Sequence, residues 1–383
     1  MSAREGFFLL DSLASISAQD WDAVARDESG LLCPALSHAF LETLERTRCV
    51  GAGTGWRPRH ATLWRADKLV AALPLYEKTH SYGEYVFDWA WAEAYERNGI
   101  AYYPKWLAAI PFTPLPGRRL LGRTPADRKA LLEHVLALAR TSGHSSFHLL
   151  LPTEEEAGWL KDAGLLMRQG VQFHWQNRDY ADFDAFLASL NHEKRKKIRQ
   201  ERRRAFGLSL QLRWMDGAQA RPADWAFFYR CYASTYALHR STPYLTPAFF
   251  ADLAQRLPQG VRLLVAERQG KPVASAFFLC DGETLYGRYW GAGEALPFLH
   301  FELCYYQAIE YCIRNGLRRF EGGAQGEHKM SRGLMPVVTS SAHWIADARF
   351  RDAVDRYLER ESAGIYGYLD ELSERTPFRQ PEA

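Results

Sequence analysis

Between Phe320 and Gly333 the sequence reads Phe-Glu-Gly-Gly-Ala-Gln-Gly-Glu-His-Lys-Met-Ser-Arg-Gly, which gathers acids, bases and flexible backbone in one segment. Glu321 or Glu327 could take the proton that an amine must lose before it attacks a carbonyl, and His328 could do the same work. Lys329 and Arg332 carry charge suited to an oxyanion or a phosphate. Gln325 adds a hydrogen-bonding group for a substrate. Upstream, Leu285-Tyr-Gly-Arg-Tyr-Trp-Gly-Ala-Gly293 sets Arg288, Trp290, Gly291 and Gly293 at the end of an apolar stretch. Glycines at such a junction let backbone approach a ligand, and a following helix start favours anions. His300-Phe-Glu302 with Tyr305 opens that helix, where Glu302 also suits the electrostatics of a helix N-terminus. No Ser or Cys nucleophile motif accompanies them, so nothing in these segments points to a covalent intermediate.

A second constellation lies in the first half. His80-Ser-Tyr-Gly-Glu-Tyr-Val-Phe-Asp-Trp-Ala-Trp91 is followed by Tyr102-Tyr-Pro-Lys105, and the aromatic positions do not alternate as in a simple strand. Interleaved with polar groups, His80, Tyr82, Glu84, Tyr85, Asp88, Trp89, Trp91, Tyr103 and Lys105 are expected to line a substrate groove. A core with polar edges would use the same residue types. The third feature is basic: from His192 to Arg204 the chain carries Lys194, Arg195, Lys196, Lys197, Arg199, Arg202, Arg203 and Arg204 against Glu193 and Glu201. RNA phosphates, an anionic membrane surface or a CoA-like anion would each suit such a cluster, as would plain solvation. No aromatic residue is interleaved with it, which leaves base stacking without support.

These groups must be positioned by regular elements. Phe7–Leu10 reads as a strand, with helices near Ala18–Ala25 and Ser37–Thr47, the latter opened by Ser37 as N-cap. Strands follow at His60–Trp64 and Leu69–Tyr76, then a helix near Pro125–Ser142 and a strand at Phe147–Leu151. The second half repeats the order. A basic helix near Phe183–Ala205 leads into strands at Leu208–Arg213, Arg262–Glu267, Val273–Cys280 and Thr284–Trp290. A helix at His300–Asn315, strands at Arg319–Glu321 and Ala342–Ile345 and a closing helix near Asp347–Leu372 complete it. Hairpins followed by a strand–helix–strand crossover indicate an α/β fold with mixed (α+β) sheets flanked by helices, in two tandem domains, residues 1–168 and 169–383.

Composition sets the remaining bounds. With 383 residues, 47% hydrophobic and 24% charged, the chain is globular and long enough for two cores. A formal charge of +3 does not by itself indicate nucleic acid, and DNA is not expected as a partner. The six cysteines form no C-x-x-C pair and no metal spacing with His, so no metal is expected and a reducing cytoplasm is. No signal peptide and no apolar run of about 18–20 residues is present, so a cytoplasmic protein without a transmembrane segment is expected. The sequence leaves the oligomeric state open.

Several strings resemble the FemAB-like N-acyltransferases of the GNAT (N-acetyltransferase) superfamily: Leu36-Ser-His-Ala-Phe-Leu41, Gly55-Trp-Arg-Pro-Arg-His60, His80 through Trp91, Pro111-Phe-Thr-Pro114, Phe173-His-Trp175, Tyr286-Gly-Arg-Tyr-Trp-Gly291, His300 through Tyr306 and Glu321 through Gly333. The resemblance implies two tandem GNAT-like acyl-CoA N-acyltransferase domains and an acyltransferase activity. Arg288-x-x-Gly291-x-Gly293 resembles the GNAT pyrophosphate loop, which implies cofactor contacts for Arg288, Trp290, Gly291 and Gly293; Arg332 is added to them for its charge alone. Glu321-Gly322-Gly323 matches the acidic residue and glycine pair that end the corresponding Fem strand, implying a site for the acceptor there. No tightly bound cofactor is implied; the donor is acyl-CoA or aminoacyl-tRNA as co-substrate, with Lys194–Arg204 as a surface for tRNA. The acceptor is a small molecule or a peptidoglycan (cell-wall) precursor. The competing reading is a non-catalytic module that binds cell-wall or polysaccharide precursors.

Overall fold

The computed structural model describes residues 4–324 and 326–379. Its strands, in chain order, are β1 (Gly6–Leu10), β2 (Trp56–Pro58), β3 (His60–Arg65), β4 (Lys68–Leu73), β5 (Leu75–Lys78), β6 (Lys105–Ala108), β7 (Leu121–Gly122) and β8 (Ser146–Leu150). They continue with β9 (Leu166–Gln176), β10 (Leu210–Asp216), β11 (Val261–Arg268), β12 (Lys271–Cys280), β13 (Thr284–Ala292), β14 (Arg319–Ala324) and β15 (Met335–Ile345). The chain divides into two compact units, residues 1–170 with 338–367 and residues 171–337 with 368–383. The return of 338–367 to the first unit has no local signal in the sequence.

In the first unit β1, β3, β4 and β7 form one antiparallel sheet, and β15, β8, β6, β5 and β2 follow one another in a second. Pro74 explains why Leu69–Tyr76 is not one strand. It has no N–H to give a ladder, and the chain there leaves the first sheet for the second. The Pro125–Thr141 helix, capped by Thr124, lays Leu131, Leu132, Val135 and Leu136 on a core with Trp106, Phe147 and Leu149. The aromatic run is less regular than a strand for a visible reason: it holds a loop and then the Trp89–Arg97 helix, which buries Trp91 and Tyr95 one turn apart. That helix and β6 were not apparent from the sequence pattern.

In the second unit β10, β11, β12 and β13 run antiparallel, β13 pairs with β14 in parallel, and β14 pairs with β9. From Val273 to Cys280 every residue of β12 is buried, as expected of a strand covered on both faces. The crossover between β13 and β14 is helical from Leu299 to Arg314, with one π turn at Glu302–Tyr306. The expected basic helix is two helices, Phe183–Ser189 and His192–Phe206, because Asn191 leaves the helical conformation and its side chain caps Lys194 N–H at 3.0 Å.

Gly291 corrects the expectation of a glycine loop after the strand. It lies within β13, paired with Ser275, and a Cβ built there would meet the Cys231 carbonyl oxygen at 2.0 Å. Glycine is required because the Pro222–Leu238 helix packs its backbone against the strand at that point. Gly291→Ala should therefore cost stability at the upper end of about 1–3 kcal/mol, read as a lower urea midpoint; an unchanged midpoint would contradict this packing.

Candidate active site

In the second unit the parallel pairing of β13 with β14 covers only Thr284–Tyr286 against Arg319–Glu321. Beyond it β13 takes a bulge near Gly287 and Arg288, while β14 loses register between Glu321 and Ala324. The two strands part, and a cavity of ≈ 120 Å³ lies against them. Phe277 and Phe278 of β12, Gly287 through Trp290 of β13, and Phe320 and Gly322 of β14 contribute to its wall. His300, Cys304 and Tyr305 of the crossover helix complete it.

The segment after β14 is held by a buried cation. Lys329 Nζ donates to the carbonyls of Gly322 at 2.7 Å, Gly323 at 3.2 Å and Ala324 at 2.7 Å. Residues 327–332 form a 3-10 turn, in which positions three apart eclipse, so Lys329 and Arg332 both point inward and are buried. Arg332 pairs with Glu201 at 2.8 Å and lies 3.6 Å over the Phe301 ring. Glu201 also accepts from Tyr306 O–H. Beside it, Arg202 bonds Glu302 at 3.1 Å and Glu310 at 2.6 Å, and Gln307 bonds Glu302 at 2.9 Å across the π turn. Two neighbouring residues of the basic helix thus fix the crossover helix and the 3-10 turn.

Burial governs the protonation states. It pushes His300 down to about 4 and the Tyr305 hydroxyl well up, so one is a neutral imidazole and the other a protonated phenol at neutral pH. His300 stacks on Trp290 at 4.5 Å. Tyr305 reaches His328 Nε2 at 3.2 Å; His328 stands at the surface, and partial loss of water around its ring, then the charges of Arg332 and Lys329, lower its pKa. The Cys304 thiol is driven up by burial, which makes it inert as a nucleophile.

The sequence-derived residues separate accordingly. Arg288, Trp290, His300 and Tyr305 line the cavity. Glu321 is buried between the lining positions Phe320 and Gly322 but does not line it, and bonds Arg319 at 3.2 Å. Glu327 is exposed and meets Arg375 at 3.3 Å. Lys329, Arg332 and Glu302 are committed to the contacts above. The N–H of Gly293 is given to Val273 O at 2.8 Å, which removes it from an anion cradle. Gln325 lies outside the described residues. Phe277, Phe278, Tyr289, Cys304 and Phe320 were missed, because core residues of a strand carry no sign of the place where its partner leaves. Glu201 did carry one: it shares a helix face with Ile198 and Ala205.

The first unit holds a separate polar cluster. Lys105 Nζ bonds Ser81 Oγ at 3.0 Å, Glu84 at 2.9 Å and Asp88, all buried. Tyr102 O–H donates to Asp88 at 2.5 Å and Tyr103 O–H pairs with Ser81 at 2.8 Å. Lys78, unremarked in the sequence, lies 3.8 Å from both Glu84 and the Trp56 ring. Burial brings Lys78 down and Glu84 up, each to about 7, while Lys105 is raised because Glu84 and Asp88 outweigh its burial. His80 bonds Thr54 O at 3.0 Å, and Trp91 sits edge-on to His343 at 4.9 Å. Tyr82, Tyr85 and Trp89, with Phe87, are exposed. Of the expected groove, Glu84, Asp88, Lys105 and Trp91 are therefore buried, His80 and Tyr103 are half-buried, and Tyr82, Tyr85 and Trp89 face outward.

A family model, FemAB-like, described as peptidoglycan biosynthesis/recognition, matches residues 12–380. The chain belongs to the FemAB-like family. Its fold is that of two tandem GNAT-like domains. FemX is similar at a TM-score of 0.54 and 11% identity, over 89% of this chain and 98% of FemX. L-PGS from Bacillus licheniformis is similar at 0.51 and 11% identity, over 82% of this chain and 95% of that one. At such identity the likeness is one of fold. A search of curated proteins gave no match. Among the described residues no helix is long and apolar enough to cross a membrane, and no His, Cys, Asp and Glu group is arranged to hold a metal.

Two tests follow from these contacts. Lys105→Met should cost about 3–5 kcal/mol by urea denaturation, since Glu84 and Asp88 lose their buried partner; the triple change with Glu84→Gln and Asp88→Asn should recover most of it. Burial places Lys329 at about 8. The carbonyl carbon shifts of Gly322 and Ala324 should therefore move with a midpoint near that pH as the ammonium becomes an amine, and Lys329→Met should abolish the transition. Flat shifts across that range would disprove the link.

Proposed function

We propose that the protein is an N-acyltransferase that holds an activated acyl or aminoacyl donor in the cavity where β13 and β14 part, and passes the acyl group to an acceptor amine. The observation that supports it most is the cavity itself, which sets Arg288 beside a protonated Tyr305 and a neutral His300 in a FemAB-like chain. Arg288 supplies positive charge for a donor phosphate or for the developing oxyanion. The amine, once neutral, attacks the donor carbonyl; its N–C bond forms as the C–S bond of a thioester or the C–O bond of an aminoacyl ester breaks, and the proton that the nitrogen then releases passes to His328 and water. In this reading Tyr305 O–H protonates the leaving group and regains a proton from His328, which its hydroxyl meets at 3.2 Å and which is exposed to water. Cys304 takes no covalent part. Glu321, Lys329 and Arg332 act by holding backbone and helix in position around the donor.

The acceptor in this reading is an amine on a cell-wall precursor, and the donor is acyl-CoA or aminoacyl-tRNA. A second reading, a non-catalytic binder of such precursors, is favoured by the exposed rings Tyr82, Tyr85, Phe87 and Trp89. Incubation of an amine-bearing muropeptide with labelled acetyl-CoA, and separately with charged tRNA, separates the two. The expected product is heavier by one acyl group with one of the donors, and Tyr305→Phe should lower turnover on the order of 10²-fold with unchanged circular dichroism. Saturable muropeptide binding without product from either donor would establish the binder instead.

A further inference from the structure

The His192–Phe206 helix buries Ile198, Glu201 and Ala205 on one side and leaves Lys196, Lys197, Arg199, Arg203 and Arg204 exposed on the other. Its attachment is rigid, through Glu201–Arg332 and Arg202–Glu302, so the cations cannot turn inward. Among the described residues no acid pairs with Lys196, Lys197, Arg203 or Arg204; Arg199 meets Asp184 at 3.5 Å, and both are exposed. Arg199 and Arg203 stand four residues apart, a like-charge spacing that weakens a helix. A solvated face would do better with mixed charge.

We propose that this face docks on an anionic lipid bilayer. Charge alone would also suit RNA, but the surroundings favour lipid. A groove of ≈ 760 Å³ runs beside the helix; Phe183, Leu187 and Phe206 supply its apolar wall, and Arg199, Arg202 and Arg203 share its charged wall with Asp182, Asp184 and Glu310, so the net positive charge lies outside it on Lys196, Lys197 and Arg204. Phe206 is 42% exposed at the end of the cationic row. An exposed ring at the end of a row of cations without acidic partners matches the acyl region and headgroup phosphates of a bilayer surface. A single-stranded RNA would want several exposed rings among the cations, and Phe206 is alone on this helix. Arg204 also lies 5.6 Å over Phe298, the residue that leads into the crossover helix with His300. The docking face thus reaches the start of the crossover helix, two residues before the cavity-lining His300, and it does not depend on the transfer reaction.

Flotation of the full chain with vesicles tests this. One set contains phosphatidylcholine alone, the other roughly one third phosphatidylglycerol. Binding is expected to the anionic set only, with loss at high salt. The charge reversal Lys196→Glu, Lys197→Glu, Arg203→Glu should weaken it at least about 10-fold, and Phe206→Ser should weaken it at unchanged charge. Circular dichroism checks the variants; should the triple variant unfold, Lys196→Gln with Lys197→Gln gives the milder reading. Equal binding to both vesicle sets, indifference to the charge changes, or salt-sensitive binding of a transfer RNA with no vesicle binding would each overturn the proposal.

Discussion

A buried ammonium on three successive carbonyls is the interaction on which the candidate site rests. In a parallel ladder the carbonyls of Gly322 and Gly323 would be available to a neighbouring strand. Lys329 takes both, and that of Ala324, so β14 can turn away from β13 with these acceptors satisfied. A gap between strands is otherwise costly, because every exposed ladder group needs a partner. The cavity is thus a consequence of where one lysine points. Its direction follows in turn from the 3-10 turn at Glu327–Arg332, whose inward face it shares with Arg332.

The second constraint is the way ion pairs are spent in both units. Glu201 and Arg202 are consecutive, yet each reaches a different element, one the 3-10 turn and Tyr306, the other the π turn. Buried charges of this kind add little net stability over apolar packing but strongly disfavour misregistered alternatives when one partner is displaced. In the first unit Lys105 does similar work, collecting Ser81, Glu84 and Asp88 from one loop and fixing the turn that carries the exposed rings. In each unit the polar residues with the most suggestive chemistry act mainly as braces, and the surfaces they brace are aromatic or cationic.

Much of the fold was legible because it is written in local terms. Ser37 and Thr124 cap helices at the expected places, and hydrophobic period separates β11, β12 and β13 from the helices around them. The crossover helix and the acidic-glycine end of β14 were visible for the same reason. Irregular pieces were not: the Trp89–Arg97 helix hides in an aromatic run, Pro74 divides one apparent strand between two sheets, and Asn191 divides one apparent helix. In each case a single residue overrides a pattern that its neighbours share.

The sequence by itself determined the mixed α/β class, the repeated order of elements and the segments in which chemistry is concentrated, because caps, periodicity and residue type are properties of short stretches. Only the tertiary structure decided which of those residues meet. Gly291 is a packing glycine because a helix backbone comes close to it, and Lys329 is a backbone clasp because burial leaves it carbonyls for partners. Tyr305 and His328, far less conspicuous in the sequence than Glu321, become the groups beside the cavity and at its edge to water. Such roles depend on partners remote along the chain, and spacing along one strand of sequence does not encode them.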